Sequence, residues 1–195
     1  MSAIDTARIE AAVTELLAAI GEDAQRAGLV KTPQRVAESY TELFAGVGVD
    51  PVPLLRDELT AHTDPGERGE AVVLRDLELR STCEHHLLPF TGVAHVAYLP
   101  AEHLVGLGTI ARLVEVVAAR PQLQERLGED IAAALDSALA PHGVLVVIDA
   151  RHGCVGARGQ RQAASTTVTV ASRGLLADPV RRAEVMTLIG GGRAL

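Results

Sequence analysis

The chain has 195 residues, 48% of them hydrophobic, which suffices for one substantial core with a small helical appendage. Its net charge of -7, the lack of any Lys/Arg run and an aromatic content of 2% without Trp remove both the electrostatic footprint and the stacking platforms of a nucleic-acid binder, leaving a small molecule or another protein as partner. Met1 to Ile20 lacks the basic start and apolar block of a signal peptide, and no stretch reaches the roughly 18 apolar residues of a membrane span, so a reduced, cytoplasmic protein is expected.

Ile9, Val13, Leu16, Leu17 and Ile20 recur at helical spacing and Gly21 closes the pattern, predicting a first helix. Thr32-Pro33 supplies an N-cap hydroxyl and a proline at the first helical position of a second helix, whose stripe Val36, Tyr40, Leu43-Phe44 ends near Gly46. Prolines and charges from Asp50 to Gly69 read as a linker, which divides the chain into an N-terminal helical region (1–50), a linker (51–69) and a main domain (70–195). Strands are expected over 71–79, 92–99, 144–148 and 165–170, and helices over 110–119 and 123–139, with Pro121 starting the second of these. The order is two strands, two helices, two strands. A terminal helix over 178–189 precedes a frayed tail.

Both cysteines lie within two residues of a histidine, in Cys83-Glu84-His85-His86 and His152-Gly153-Cys154. Thiolate and imidazole suit zinc, and a catalytic zinc keeps about three protein ligands and an open position. Iron or cobalt would also accept these donors. The plainer alternatives are two buried free cysteines with incidental histidines, or one disulfide; two such clusters without a stray cysteine favour metal. On an extended strand His152 and Cys154 point the same way, so one can bind metal while the other faces substrate. Cys83 and His86 can meet at one ion only if the strand ends or bends, as Pro89 makes believable. Spacing leaves His85 and His86 exchangeable between ligand and proton carrier. His103 and His142, isolated near loop signals, read as solvated.

These residues, with Gly28-Leu29, Thr32-Pro33, Arg35-Val36-Ala37, Leu87-Leu88-Pro89-Phe90, Arg120-Pro121-Gln122, Gln124-Glu125-Arg126-Leu127 and Arg158-Gly159, resemble GTP cyclohydrolase I over about residues 9 to 189. The resemblance implies zinc held by Cys83, His86 and Cys154, with His85 and His152 as the proton-transfer histidines. It implies hydrolysis at C8 of guanine on water activated by zinc, loss of formate, and rearrangement and closure to 7,8-dihydroneopterin triphosphate on the way to folates. Glu125 would hold the guanine N1 and amino edge, a carboxylate being the acceptor for two such donors, with Gln124 beside it as a second substrate-binding residue. The implied architecture is the α+β tunnelling fold, a ββαα/ββ antiparallel sheet with helices on one face behind an N-terminal helical extension. The resemblance further implies assembly into a homo-oligomer, a decamer in the family, with active sites between subunits.

The family's triphosphate clamp maps onto Glu38, Gly108, Thr109, Arg112 and Arg158, and only the two arginines keep the expected residue type. Each lost charge-assisted bond is worth about 1.5–3 kcal/mol; one reading is an ordinary GTP enzyme with a rebuilt phosphate site, for which Lys31 is a candidate replacement cation. The alternatives are a paralogue that opens a guanine-type ring bearing fewer or no phosphates, possibly without pterin closure, or a zinc-stabilised assembly without turnover. Intact His85, His152 and Glu125 argue against the last.

Overall fold

The computed structural model describes residues 4–61, 70–159 and 161–190. Helix α1 (Thr6–Ala19) is capped by Asp5, whose carboxylate accepts the N–H of Arg8 at 3.0 Å. Helix α2 (Thr32–Leu43) is flanked by Lys31 without a side-chain cap, so Thr32 is the first helical residue and not the cap that its hydroxyl suggests. The two helices pack on each other; α1 buries no residue and α2 only Ala37. Past α2, the Gly46 N–H donates to the Ala119 carbonyl at 2.9 Å, and a side chain at Gly46 would meet the Val116 carbonyl at 2.0 Å. Only glycine permits this seam between the N-terminal helices and the core.

The expected linker is partly structured. Helix α3 (Val52–Arg56) places Leu55 fully inside the core, and β1 (Leu59–Ala61) pairs with β4 (His103–Val105) in a small antiparallel sheet. A short apolar set among prolines escaped a periodicity reading because one helical turn carries too few residues to display a period. Residues 62–69 and the tail 191–195 lie outside the described residues.

The main sheet runs β5 (Pro121–Gln122), β2 (Val72–Cys83), β3 (Pro89–Leu99), β6 (Gly143–His152), β7 (Thr167–Gly174). Its pairs are antiparallel except β2 with β5. Helices α4 (Leu107–Ala118) and α5 (Gln124–Leu139) lie on one face, giving the anticipated ββαα/ββ order. Leu127, Ile131, Leu135 and Leu139 recur every fourth residue on α5, and all are at most 1% exposed. They meet Val144, Val146, Ile148 and Ala150, the alternate residues of β6. Each fully buried Leu or Ile contributes about 1.5–3 kcal/mol of transfer free energy. Pro121 belongs to the two-residue β5 and not to a helix start; it aligns with Thr82 at the end of β2.

The opposite face is half covered. A 3-10 turn (Leu175–Ala177) leads into α7 (Pro179–Gly190), and Leu176 and Val185 pack on Ala97, Leu145 and Val147. Beyond α7, that face holds an open cavity of about 460 Å³ lined by Glu78, Arg80, Thr91, Asp149 and Arg151.

Strand β2 changes its facing residues midway. Val72 and Leu74 pack towards α4 and α5, and so do Leu77, Leu79 and Cys83. The parity shift comes from a bulge: Arg75 and Asp76 lie between the paired residues Leu74 and Leu77, opposite His95, and Asp76 adopts φ 55°. Without that extra residue, the alternation that buries Leu74 would turn Cys83 to the other face.

Candidate metal centre and active site

Strand β2 stops at Cys83 and the chain turns back on itself. The Leu87 N–H donates to the Cys83 carbonyl at 2.8 Å, the Cys83 N–H donates to the Leu88 carbonyl at 2.8 Å, and Leu87 takes φ 52°. The turn returns His86 to Cys83, with Nδ1 3.9 Å from Sγ. Arg126 of α5 holds the turn from outside by a forked pair to Glu84 at 2.6 and 3.3 Å. The hydrogen bond from Arg126 to Glu84, then the carboxylate's charge, raise the guanidinium pKa further above its ordinary value.

The second segment departs from the extended geometry expected of it. Strand β6 ends at His152, and α6 (Gly153–Gly156) is a single helical turn, so His152 and Cys154 are not alternate residues of one strand. A side chain at Gly153 would approach the Pro89 carbonyl to 2.8 Å, so glycine lets this turn lie against the start of β3. The turn sets Cys154 Sγ 3.9 Å from Cys83 Sγ.

The donor atoms of Cys83, His86 and Cys154 lie within 4.8 Å of one another. Tetrahedral zinc with ordinary Zn–S and Zn–N bonds separates two sulfurs by about 3.8 Å and a sulfur from a nitrogen by about 3.6 Å. The two 3.9 Å separations match that spacing and are far too long for a disulfide, whose sulfurs lie about 2.05 Å apart. Both cysteines are free. The set therefore fits a thiolate-preferring metal with a fourth position open. Burial first, and then the Cys83 thiol, push the Cys154 thiol above its ordinary pKa; a bound cation would reverse that direction by stabilising the thiolate.

His152 stands beside this set. Its ring stacks on Phe90 with centroids 4.6 Å apart and planes 9° from parallel. Its Nε2 lies 2.7 Å from Oε1 of Gln124, the first residue of α5. Gln124 is 2% exposed, and its Nε2 donates to the carbonyls of Thr167 (2.8 Å) and Ile148 (3.1 Å) and to Thr169 Oγ1 (3.2 Å). Burial lowers the His152 pKa, while the charge of Glu125 opposes it. Glu125 is exposed, as are His85 and Arg158, and the His85 and His86 rings meet edge-on at 6.2 Å. Arg158 lies close enough to Cys154 for its charge to act on the thiol.

Arg112 is separate in one chain. It lines a cavity of about 520 Å³ with Glu42, Gly46, Glu78, Arg80 and Glu115, between α2, α4 and β2, and none of the Cys/His residues lines it. Glu38 is exposed on α2 and accepts from Gln34 Nε2 at 2.8 Å; Gly108 is exposed and Thr109 half-buried in the first turn of α4. Phe90, Glu84 and Arg126 all stand in the quoted motifs, but their contacts with His152 and with each other have no local signal; the ion pair spans 42 residues.

The strand ends of this α+β sheet thus bring together a Cys/His/Cys set that could hold a metal ion, with His152 two residues from Cys154. The family profile described as GTP cyclohydrolase I matches residues 9–190. The chain belongs to the GTP cyclohydrolase I family. It is 56% identical over 196 residues to "GTP cyclohydrolase 1" of Leifsonia xyli, covering 100% of both chains. It is 51% identical over 191 residues to the protein of that name from Streptomyces griseus, covering 97% of this chain and 92% of that one. With the Rhodopirellula baltica protein, also named GTP cyclohydrolase 1, identity is 49% over 187 residues, 95% of this chain and 80% of the relative. Among solved structures, the apo archaeosine synthase QueF-Like aligns with a TM-score of 0.42 and 18% identity over 55% of this chain and 97% of its own.

Proposed function

We propose that this chain catalyses the GTP cyclohydrolase I reaction: hydrolysis at C8 of GTP, opening of the imidazole ring, release of formate, and closure to 7,8-dihydroneopterin triphosphate. It is a hydrolase acting on a cyclic amidine. The observation that carries the reading is the convergence of Cys83, His86 and Cys154 within 4.8 Å, beside His152, in a chain of this family.

Cys83, His86 and Cys154 would hold zinc, which when bound supplies Lewis-acid activation of water for attack on carbon. His152, oriented by Phe90 and Gln124, is the group to pass a proton to an imidazole nitrogen of the purine. His85, exposed on the neighbouring turn, would serve the later ring-opening and deformylation steps. Glu125 would accept from N1–H and the exocyclic amine of guanine. Arg158 and Arg112 would bind the phosphates. Glu38 already accepts from Gln34 along its own helix, which supports a carboxylate engaged within α2 and not opposed to the triphosphate.

The chain is expected to work as a homo-oligomer, a decamer by family pattern, with sites between subunits. The separation of Arg112 from the Cys/His cluster supports a site completed by a neighbouring chain, and Val168 and Val170 stand exposed on β7 at the sheet edge. A cytoplasmic location is proposed; no helix among the described residues is long and apolar enough to cross a membrane.

Formate release by zinc-loaded protein, assayed with GTP, GMP, guanosine and guanine and with products identified by mass spectrometry, tests the reading. Neopterin triphosphate formed efficiently from GTP is expected. Ring opening confined to the less phosphorylated compounds would overturn the assignment of GTP as substrate.

A further inference from the structure

We infer that Gln124 is a positioning residue that fixes His152 as the Nε2–H tautomer, so that Nδ1 is the ring nitrogen that exchanges protons with the substrate. The role in catalysis rests on the function proposed above; the tautomer itself does not.

The argument starts at the far end of the Gln124 amide. That end faces the carbonyl oxygens of Thr167 and Ile148 at 2.8 and 3.1 Å, and a backbone carbonyl can only accept. The end facing them must therefore be the NH2 group, whichever way the amide would be drawn from shape alone. Flipping the amide would set an oxygen against two carbonyl oxygens in a site that is 2% exposed. Oε1 is thereby committed to His152, 2.7 Å from Nε2, and an amide oxygen can only accept. Nε2 must carry the hydrogen.

In a neutral imidazole one nitrogen donates and the other accepts, so Nδ1 keeps its lone pair. Among the described residues Nδ1 has no hydrogen-bond partner. The imidazolium is also compatible with Gln124, because Nε2–H donates to Oε1 in both protonation states. A proton can then arrive at or leave Nδ1 without any rearrangement of the residues behind the ring. Phe90, stacked at 4.6 Å, holds the ring plane while this happens. The polar contacts of the Gln124 side chain are internal: Oε1 accepts from His152, and the two amide hydrogens are shared among three acceptors. Sequence position beside Glu125 suggested a direct substrate contact; the hydrogen bonds assign it a role through His152.

The test combines a spectrum with kinetics on the full-length protein. Solid-state 15N spectra of ring-labelled histidine, with the His152 signals identified by their loss in His152→Gln, should contain a protonated, pyrrole-type Nε2 and a pyridine-type Nδ1 for neutral His152. The opposite pattern would overturn the inference directly and needs no Gln124 variant to fold. Gln124→Met keeps the bulk and removes the acceptor. It should lower kcat for GTP about 10- to 100-fold while KM changes less than about threefold, with bound metal unchanged. A tenfold rise in KM at unchanged kcat would mean that Gln124 binds substrate, and would also overturn the inference. Failure of the wild-type protein to turn over GTP would defeat the proposed function and leave the spectroscopic result standing.

Discussion

The backbone N–H of Asp76 donates to Nδ1 of His95 at 3.1 Å, at the bulge that re-aims the second half of β2. The contact gives the extra residue's amide a partner that the sheet ladder cannot supply. Asp76→Val should destabilise the fold by about 1–2 kcal/mol, because a β-branched residue resists positive φ. Asp76→Gly should be close to neutral. Urea unfolding would separate the two; equal losses would mean that the Asp side chain, not its backbone angle, matters here.

Cys154→Ala removes one of three donors whose ligand atoms lie within 4.8 Å of one another. Bound metal, measured by elemental analysis, and formate release should both fall to background. Full activity in metal-free protein would defeat the hydrolytic mechanism.

His152→Ala should keep its metal, since His152 is not among the three clustered donors, and lose turnover by about 10²–10⁴-fold, the usual worth of a positioned proton-transfer group. A metal-depleted variant would make His152 a ligand.

Gly153→Ala inserts a methyl group against the Pro89 carbonyl at 2.8 Å and must displace the turn that carries Cys154. Metal affinity should weaken about 10- to 100-fold, comparable to loss of an outer-shell support. Competition with a fluorescent chelator gives the affinity; an unchanged value would mean that the strand start yields instead.

Tyr98 is 1% exposed, and burial raises its phenol pKa above 10.0, with the Val105 N–H donating to the hydroxyl in partial opposition. The folded chain therefore holds this proton more tightly than the unfolded chain. The corresponding stability is complete below about pH 10 and is lost as pH climbs through the folded pKa. Urea midpoints at increasing alkaline pH should fall, and the fall should be shallower in Tyr98→Phe.

The parts of this architecture that repeat a period were legible before folding was considered. Ile110, Leu113, Val114 and Val117 on α4 and the fourfold spacing on α5 announce their buried faces, and both helices are where the pattern puts them. The parity change in β2 was not, because Arg75-Asp76 looks like any polar pair in a strand and only the partner strand defines a bulge. The helical turn at Gly153–Gly156 also broke the alternation assumed for His152 and Cys154. For the site, the two Cys/His groups were plain as residue types, whereas spacing left His85 and His86 equivalent. The turn closed by Leu87 distinguishes them, bringing His86 Nδ1 to Cys83. The Gln124–His152 contact joins residues 28 apart, and nothing local to either marks it.

Cys83 and Cys154 are 71 residues apart, one at the end of β2 and the other just beyond β6. An ion shared by them is therefore also a cross-link, enclosing every element from β3 to β6 in a single loop. Closing a loop of that size in the unfolded chain is worth about 4 kcal/mol by the arithmetic used for disulfides, a large share of the roughly 5–15 kcal/mol that holds a domain together. Metal supply would then govern how long the polypeptide survives heat and proteases as well as how fast it turns over.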